Sequence, residues 1–190
     1  TLDWSDATIG SAYYYGAQTE AGSYPTSYIP TYSVSATRAA DNCYKLNTSD
    51  VIGQIEGTIY AEFILPNDYT NGLQRISLSD GSLDNWVFMS IPENGDETRM
   101  YLRIGASTLV DTQTTNSPFT HNQVNKIAYG YKSGDLKIYI NGVSILSSSV
   151  SYGSFTNVLN TLNITGGSGV TGGSSPQSEI SNNFRKLALY

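Results

Sequence analysis

From Lys126 to Ile145 the chain reads KIAYGYKSGDLKIYINGVSI, and no other stretch restricts its fold so strongly. Ile127, Tyr129 and Tyr131 alternate with smaller or polar residues. Ser133-Gly134-Asp135 breaks that run, and Leu136, Ile138 and Ile140 then alternate with Lys137, Tyr139 and Asn141. Alternation of period two sends one set of side chains to each face of a strand, so the pattern predicts a β-hairpin. Asn141-Gly142 supplies a second turn, because these residue types readily adopt the positive φ angles of a tight hairpin, and Val143 and Ile145 resume the alternation. The predicted unit is an antiparallel meander.

The rest of the chain repeats the theme. Short strands are expected near 36–45, 56–65, 73–79, 85–92, 99–105, 108–113, 123–132, 135–141, 143–149, 159–165 and 179–190. Turn clusters separate them at Pro66-Asn67-Asp68, Ser79-Asp80-Gly81-Ser82, Glu93-Asn94-Gly95-Asp96 and the glycine-rich stretch 166–173. No helix of three turns is expected. Many short strands with edges to protect predict an all-β, two-sheet antiparallel β-sandwich or jelly roll, and 190 residues suffice for one such domain. The stretch Gly166 to Pro176 lacks the Lys-Ser/Thr ending of a phosphate loop and reads as a surface loop.

The hairpin, with its Leu-Lys-Ile-Tyr-Ile-Asn-Gly run, resembles the central hairpin of concanavalin A-like (laminin-G-like) lectin/glucanase domains. Glu56-Gly57-Thr58-Ile59-Tyr60-Ala61-Glu62-Phe63 and Phe184-Arg185-Lys186-Leu187-Ala188-Leu189-Tyr190 are similar to the early and closing strands of such domains. The resemblance covers 36–190 and implies a concanavalin A-like sandwich there, with residues 1–35 forming an N-terminal strand and a linker from a preceding module. Within that segment Ser11 to Gln18, with Tyr13, Tyr14 and Tyr15, reads as a strand, while Pro25 and Pro30 rule out a helix beyond it. The stretch Gly16 to Thr31 resembles a linker of phage tail and structural proteins. It implies a phage tail or fibre setting, an extracellular or virion location, a parent protein longer than this fragment, and a possible homo-oligomer.

Charge limits the partners. Only 14% of residues are charged and the net charge is -6, with the ten Lys and Arg scattered singly. Nucleic-acid binding rests on Lys and Arg neutralising phosphates, so no nucleic-acid partner is expected. No apolar run approaches the ~20 residues that span a bilayer, so membrane insertion is not expected. Tyr contributes 15 residues, and Ser, Thr, Asn and Gly fill most of the other polar positions, a composition suited to neutral, hydroxyl-rich ligands. Cys43 stands alone, so no internal disulfide exists; it is expected as a small buried thiol on a strand.

Catalysis is not expected. Glycosidases of the resembled fold carry a Glu-x-Asp-x-x-Glu or Glu-x-Asp-x-Glu run, whose alternate residues place two carboxylates about 5 Å apart on one strand face. This chain has no such run. Glu62 and Glu179 stand singly in their strands, and His121 sits in a polar turn where a lyase would need it on the concave strands. Sugar binding needs only aromatic faces for C–H patches and planar polar groups for hydroxyls. Alternation turns Arg75 outward on its strand and Tyr101 with Arg103 outward on theirs, while Trp86 and Phe88 share one face of a strand whose other face is also apolar. Such a strand is either buried on both sides or presents its rings to a ligand. Tyr139 points outward beside Lys137 and Asn141. The carbohydrate-binding candidates are therefore Trp86, Tyr101, Arg103, Arg75 and Tyr139. A calcium ion is conceivable on Asp80, Asp84 and Asn85, or on Asn94, Asp96 and Glu97, although neither set has an EF-hand spacing and turns are rich in Asp and Asn for backbone reasons alone.

Overall fold

The computed structural model describes Tyr28, Pro30 and residues 43–65, 74–91, 97–165 and 183–190. The chain divides into two compact units, Thr1–Ala40 and Asp41–Tyr190, and the architecture below is that of the second. Apart from Tyr28 and Pro30, the expected segment 1–35 lies outside the described residues, as do the turns at Pro66–Asp68 and Glu93–Asp96 and the glycine-rich stretch 166–173.

Eleven strands make up the described part of this unit: β1 (Cys43–Lys45), β2 (Glu56–Ile64), β3 (Gln74–Ser79), β4 (Trp86–Ile91), β5 (Thr98–Ile104), β6 (Ser107–Thr114), β7 (Val124–Lys132), β8 (Leu136–Ile140), β9 (Val143–Ser148), β10 (Thr161–Thr165) and β11 (Asn183–Leu189). Each expected strand has its counterpart, with described ends moved by a residue or two; the N-terminal parts of the expected strands at 36–45 and 179–190 lie outside the described residues. The strands form a six-stranded sheet, β1-β10-β3-β4-β5-β6, and a five-stranded sheet, β11-β2-β7-β8-β9. The described strand pairs are all antiparallel.

Period-two alternation explains the core. Ile59, Ala61 and Phe63 on β2, Ile127, Tyr129 and Tyr131 on β7, and Leu136, Ile138 and Ile140 on β8 are all buried. They share one hydrophobic cluster with Ile76 and Leu78 on β3, Val87 and Met89 on β4, and Met100 and Leu102 on β5. Two core tyrosines also satisfy their hydroxyls. Tyr129 donates to the Tyr101 carbonyl of the facing sheet at 3.3 Å, and Tyr131 donates to the Gly53 carbonyl at 2.8 Å. Burial pushes both phenols well above the usual tyrosine range.

The β8–β9 turn follows its sequence: Asn141 and Gly142 have φ of 50° and 84°. Asn141 also donates through Nδ2 to the Pro118 carbonyl and to Asn125 Oδ1, so the turn is tied to the neighbouring loop. One expectation is corrected. Cys43 is exposed rather than buried, because β1 lies at the edge of its sheet and, among the described residues, pairs only with β10.

Candidate functional site

Alternation that buries one side of β3, β4 and β5 sends the other to the outer face of the six-stranded sheet. The register places Ser79, Trp86, Arg103 and Thr108 on one rung, and Asn163, Ser77, Phe88, Tyr101 and Asp111 on the next. Arg75, Ser90, Arg99 and Gln113 are the outward residues one step further along. Arg75, Trp86, Tyr101 and Arg103 therefore share a face, as their strand positions imply.

The rings on this face pack on one another. Phe88 and Tyr101 stack with centroids 4.6 Å apart, and Trp86 lies 4.5 Å from Phe88 and 5.3 Å edge-on from Tyr101. Guanidinium groups complete the cluster: Arg75 Cζ is 4.5 Å from the Phe88 centroid, and Arg99 Cζ is 5.8 Å from that of Tyr101. Arg99 also grips Asp111 with two parallel hydrogen bonds of 2.6 and 2.7 Å. That bond is the main reason the Asp111 carboxyl lies below the usual range, with partial burial opposing it and the Arg75 charge assisting. The Tyr101 and Thr108 hydroxyls share a hydrogen bond of 2.9 Å.

Of the two possibilities for β4, burial on both sides is the outcome. Trp86, Phe88 and Tyr101 keep 6%, 1% and 8% of their exposure, and Arg75 keeps 8%. Accessible surface on this face belongs instead to Arg103, Thr108, Asp111 and Gln113, along β5 and β6. Two donors on the rung of Arg103 and Thr108 stand out: Trp86 Nε1 and Arg103 Nε are buried and have no hydrogen-bond partner among the described residues.

Asp80 and Asp84 sit in the β3–β4 loop at one end of this sheet. Asp80 Oδ1 accepts from the Ser82 backbone N–H and hydroxyl, and Oδ2 accepts from the side-chain amides of Asn85 and Asn157. Partial burial pushes this carboxyl up, but those hydrogen bonds outweigh it and hold the group below the usual range. Asn85 is fully buried and receives the Thr156 backbone N–H at 3.0 Å, so it joins the loop to the 149–160 segment. Asp84 contributes its carbonyl to the Ala106 N–H at 3.0 Å. The Asp80 carboxylate and the Asp84 backbone fix the loop, and among the described residues no group of three His, Cys, Asp or Glu side chains is placed to hold a metal ion.

Tyr139 belongs elsewhere. It projects from β8 on the outer face of the five-stranded sheet, across the sandwich from the other four candidates, and is 40% exposed. Sequence alternation gives the side of a strand but not its sheet. On that face Tyr60, Ala128 and Tyr139 occupy one rung of β2, β7 and β8. Tyr60 donates to Glu62 Oε1 at 2.5 Å, and this bond, with burial and the Glu62 charge, pushes its phenol up to about 12. Lys186 Nζ lies 5.6 Å from the Tyr60 centroid. Arg99, Asp111 and Tyr60 were not among the sequence candidates. Their outward alternation on β5, β6 and β2 is the signal that could have found them.

Stacked antiparallel sheets in this order, with the hairpin of β7 and β8 at the centre of one, give the chain a concanavalin A-like β-sandwich fold. Similar solved structures include Xenopus laevis galectin-Ib, at 10% identity, covering 79% of this chain and all of that one with a TM-score of 0.51. A double variant of human galectin-16 is 8% identical over 78% of this chain and 94% of its own, with a TM-score of 0.53. A toad ovary galectin in complex with thio-digalactose is 11% identical, covering 80% of this chain and 100% of its own with a TM-score of 0.50. No family model and no curated protein matches the sequence.

Proposed function

We propose that this chain is a non-catalytic, lectin-like module that binds polysaccharide along the polar rim of the six-stranded sheet. The observation that carries the reading is the pair of buried donors without a partner among the described residues, Trp86 Nε1 and Arg103 Nε, on a face whose exposed polar residues include Thr108, Asp111 and Gln113. A buried donor left unpaired costs free energy, and a shift of the half-buried Arg103 side chain would bring such a donor within reach of a sugar hydroxyl oxygen. The packed rings act as a floor that fixes those donors, rather than as an open stacking platform. Likeness of fold to a galectin solved with thio-digalactose supports the same reading. So does the state of the carboxylates. Asp80, Asp111, Asp135, Glu56 and Glu62 are each engaged by a hydroxyl, amide, guanidinium or ammonium donor, where hydrolysis needs two facing one another.

Affinity at such a shallow site is expected in the µM to mM range, about -4 to -8 kcal/mol, and repetition in an oligomeric parent would strengthen it. A phage tail or fibre, and so a virion or extracellular location, is the setting that the Gly16 to Thr31 resemblance supports. Among the described residues no helix is long and apolar enough to cross a membrane. The reading requires no calcium.

Affinity electrophoresis through plant, algal and bacterial-surface polysaccharides tests it, with Arg103→Lys and Trp86→Phe beside the parent chain. Retardation that is insensitive to EDTA and weakened about tenfold or more by either variant is expected. No retardation by any polysaccharide overturns the reading. A structural packing role is the second reading, favoured by exposed Val51, Ile55 and Val158 at 55%, 73% and 57%. Their loops are drawn together by the Thr48–Asn160 and Gln54–Leu159 hydrogen bonds. It predicts self-association that Ile55→Glu abolishes, measured by sedimentation.

A further inference from the structure

The outer face of the five-stranded sheet is built as a trough. Its middle strand, β7, turns Ala128 and Gly130 outward, two of the smallest side chains available. Flanking strands raise walls on either side: Tyr60 and Thr58 on β2, Tyr139 and Lys137 on β8. Tyr60, Ala128 and Tyr139 are direct cross-strand neighbours on one rung, so the two aromatic residues stand two strand spacings apart, about 9.5 Å between backbones. A pyranose touching an aromatic face on each side at the usual carbon separation needs about 8 Å between the ring planes. The floor strand therefore leaves room for one sugar ring between the tyrosines.

Other features favour an occupant of this kind. Lys186 approaches Tyr60 from β11, the strand on the far side of β2 from the trough, and the Tyr60 hydroxyl is held by Glu62. Both interactions orient the ring. A bulge in β9 falls opposite Tyr139, whose neighbour across the strands is the small Ser144. Lys126 and Lys132 lie at the two ends of the floor, both exposed, so the trough is open along β7. Charges of both signs surround it: Lys132 pairs with Glu56 and Lys137 with Asp135. Aromatic walls, mixed charge and open ends suit an uncharged chain passing through better than a terminal or acidic residue.

We infer that the β7 trough is a second carbohydrate subsite, in which Tyr60 and Tyr139 clasp an internal hexopyranose of a neutral polysaccharide over Ala128 and Gly130. It rests on the reading of the chain as a polysaccharide-binding module, but it lies on the opposite sheet from the Trp86–Arg103 rim. Glu62, Lys126 and Lys137 are the groups on hand for hydroxyls at the margins.

Gly130→Val separates function from folding. A Cβ at Gly130 meets only Thr58 Oγ1, at 3.9 Å, an ordinary contact, so the strand accepts the side chain while the floor is filled. Gly130→Val and Tyr139→Ala are run with the parent chain and Arg103→Lys in affinity gels of neutral glucans, mannans and galactans, with thermal melts alongside. Gly130→Val is expected to melt no lower than the parent, and both trough variants to weaken retardation in at least one neutral polysaccharide about tenfold. If the parent is retarded and both trough variants bind as it does, the trough is not a subsite, while the module reading stands. If the parent is retarded by nothing, both fall. Should Gly130→Val fail to fold, Tyr139→Ala decides alone, since an exposed side chain can be removed without disturbing the core.

Discussion

The two outer faces of this sandwich are made of similar residues arranged in opposite ways. On the six-stranded sheet, large side chains occupy adjacent rungs of adjacent strands, so Trp86, Phe88 and Tyr101 close on one another and Arg75 lies over them. On the five-stranded sheet a strand of small outward residues separates Tyr60 from Tyr139, and the rings stay apart. Adjacent aromatics make a second, satellite core. Spaced aromatics make a recess. What a tyrosine can do on a sheet surface is thus decided by the residue on the strand between, a matter of register rather than composition.

The sharpest way to break this contrast is truncation on each side. Phe88→Ala removes a ring that is 1% exposed and touched by Trp86, Tyr101 and Arg75, and should cost about 3–5 kcal/mol. Tyr139→Ala, from a 40% exposed position, should change stability by no more than about 0.5 kcal/mol. Urea midpoints measure both. Equal losses would mean that the second face is as closed as the first.

Asn85→Ala follows in size. Its buried amide joins the Asp80 carboxylate to the Thr156 backbone, and removing it strands both, at about 2–3 kcal/mol. On the other sheet the corresponding knot is buried Asn125, bonded to Thr120, Gln123 and Asn141; the Lys126 side chain takes no part in it, so the same measurement on Lys126→Ala should show little change.

Acid should discriminate the faces next. Asp80 and Asp111 both have folded pKa values below their ordinary ones, so their contribution is complete above the unfolded value of about 4 and is lost as pH falls through the folded values. Asp111→Asn should lower stability by about 1 kcal/mol at neutral pH, as expected of an exposed but bidentate pair, and should flatten the acid limb of the stability curve. Tyr60, on the other face, works at the alkaline end. Its phenol is raised to about 12, so the stability linked to it is complete below the unfolded value of about 10 and disappears between the two. A Tyr60→Phe variant should lose stability less steeply across that interval, where the buried phenols of Tyr129 and Tyr131 still contribute, while keeping the acid limb; an unchanged alkaline limb would sever Tyr60 from Glu62.

Much of this fold is written in the alternation. Ile127, Tyr129, Tyr131, Leu136, Ile138 and Ile140 can be assigned to the core from spacing alone, and Asn141-Gly142 names its own turn. The outward set on β3, β4 and β5 is equally legible. The grouping is not: Tyr139 parts from Trp86 because strand order is a tertiary choice, and the Arg99–Asp111 pair depends on a bulge between Leu102 and Arg103 that shifts the β5–β6 register. Burial of the Trp86 cluster was one of two outcomes that an apolar outward face allowed. Cys43 was misplaced because a short run of sequence does not announce an edge strand.

The β5–β6 turn offers the smallest test and exposes why it escaped notice. Gly105 and Ala106 have φ of 55° and 65°, the same left-handed pair that Asn141 and Gly142 supply at the β8–β9 turn. Alanine seldom adopts this conformation, since its Cβ crowds the following carbonyl oxygen, so Gly-Ala does not read as a tight turn. The Ala106 N–H donates to the Asp84 carbonyl, and the loop held together by Asp80 and Asn85 keeps that carbonyl in place. The left-handed alanine is thus supported by the polar knot at the end of the closed face, whereas Asn141 and Gly142 are residue types that adopt this conformation readily. Ala106→Gly should raise stability by about 0.5–1 kcal/mol, the relief of strain less the entropy that glycine loses on folding. In an Asn85→Ala background, where the support is loosened, the gain should grow. Equal gains in both backgrounds, read from a double-mutant cycle, would show that the turn stands without the knot.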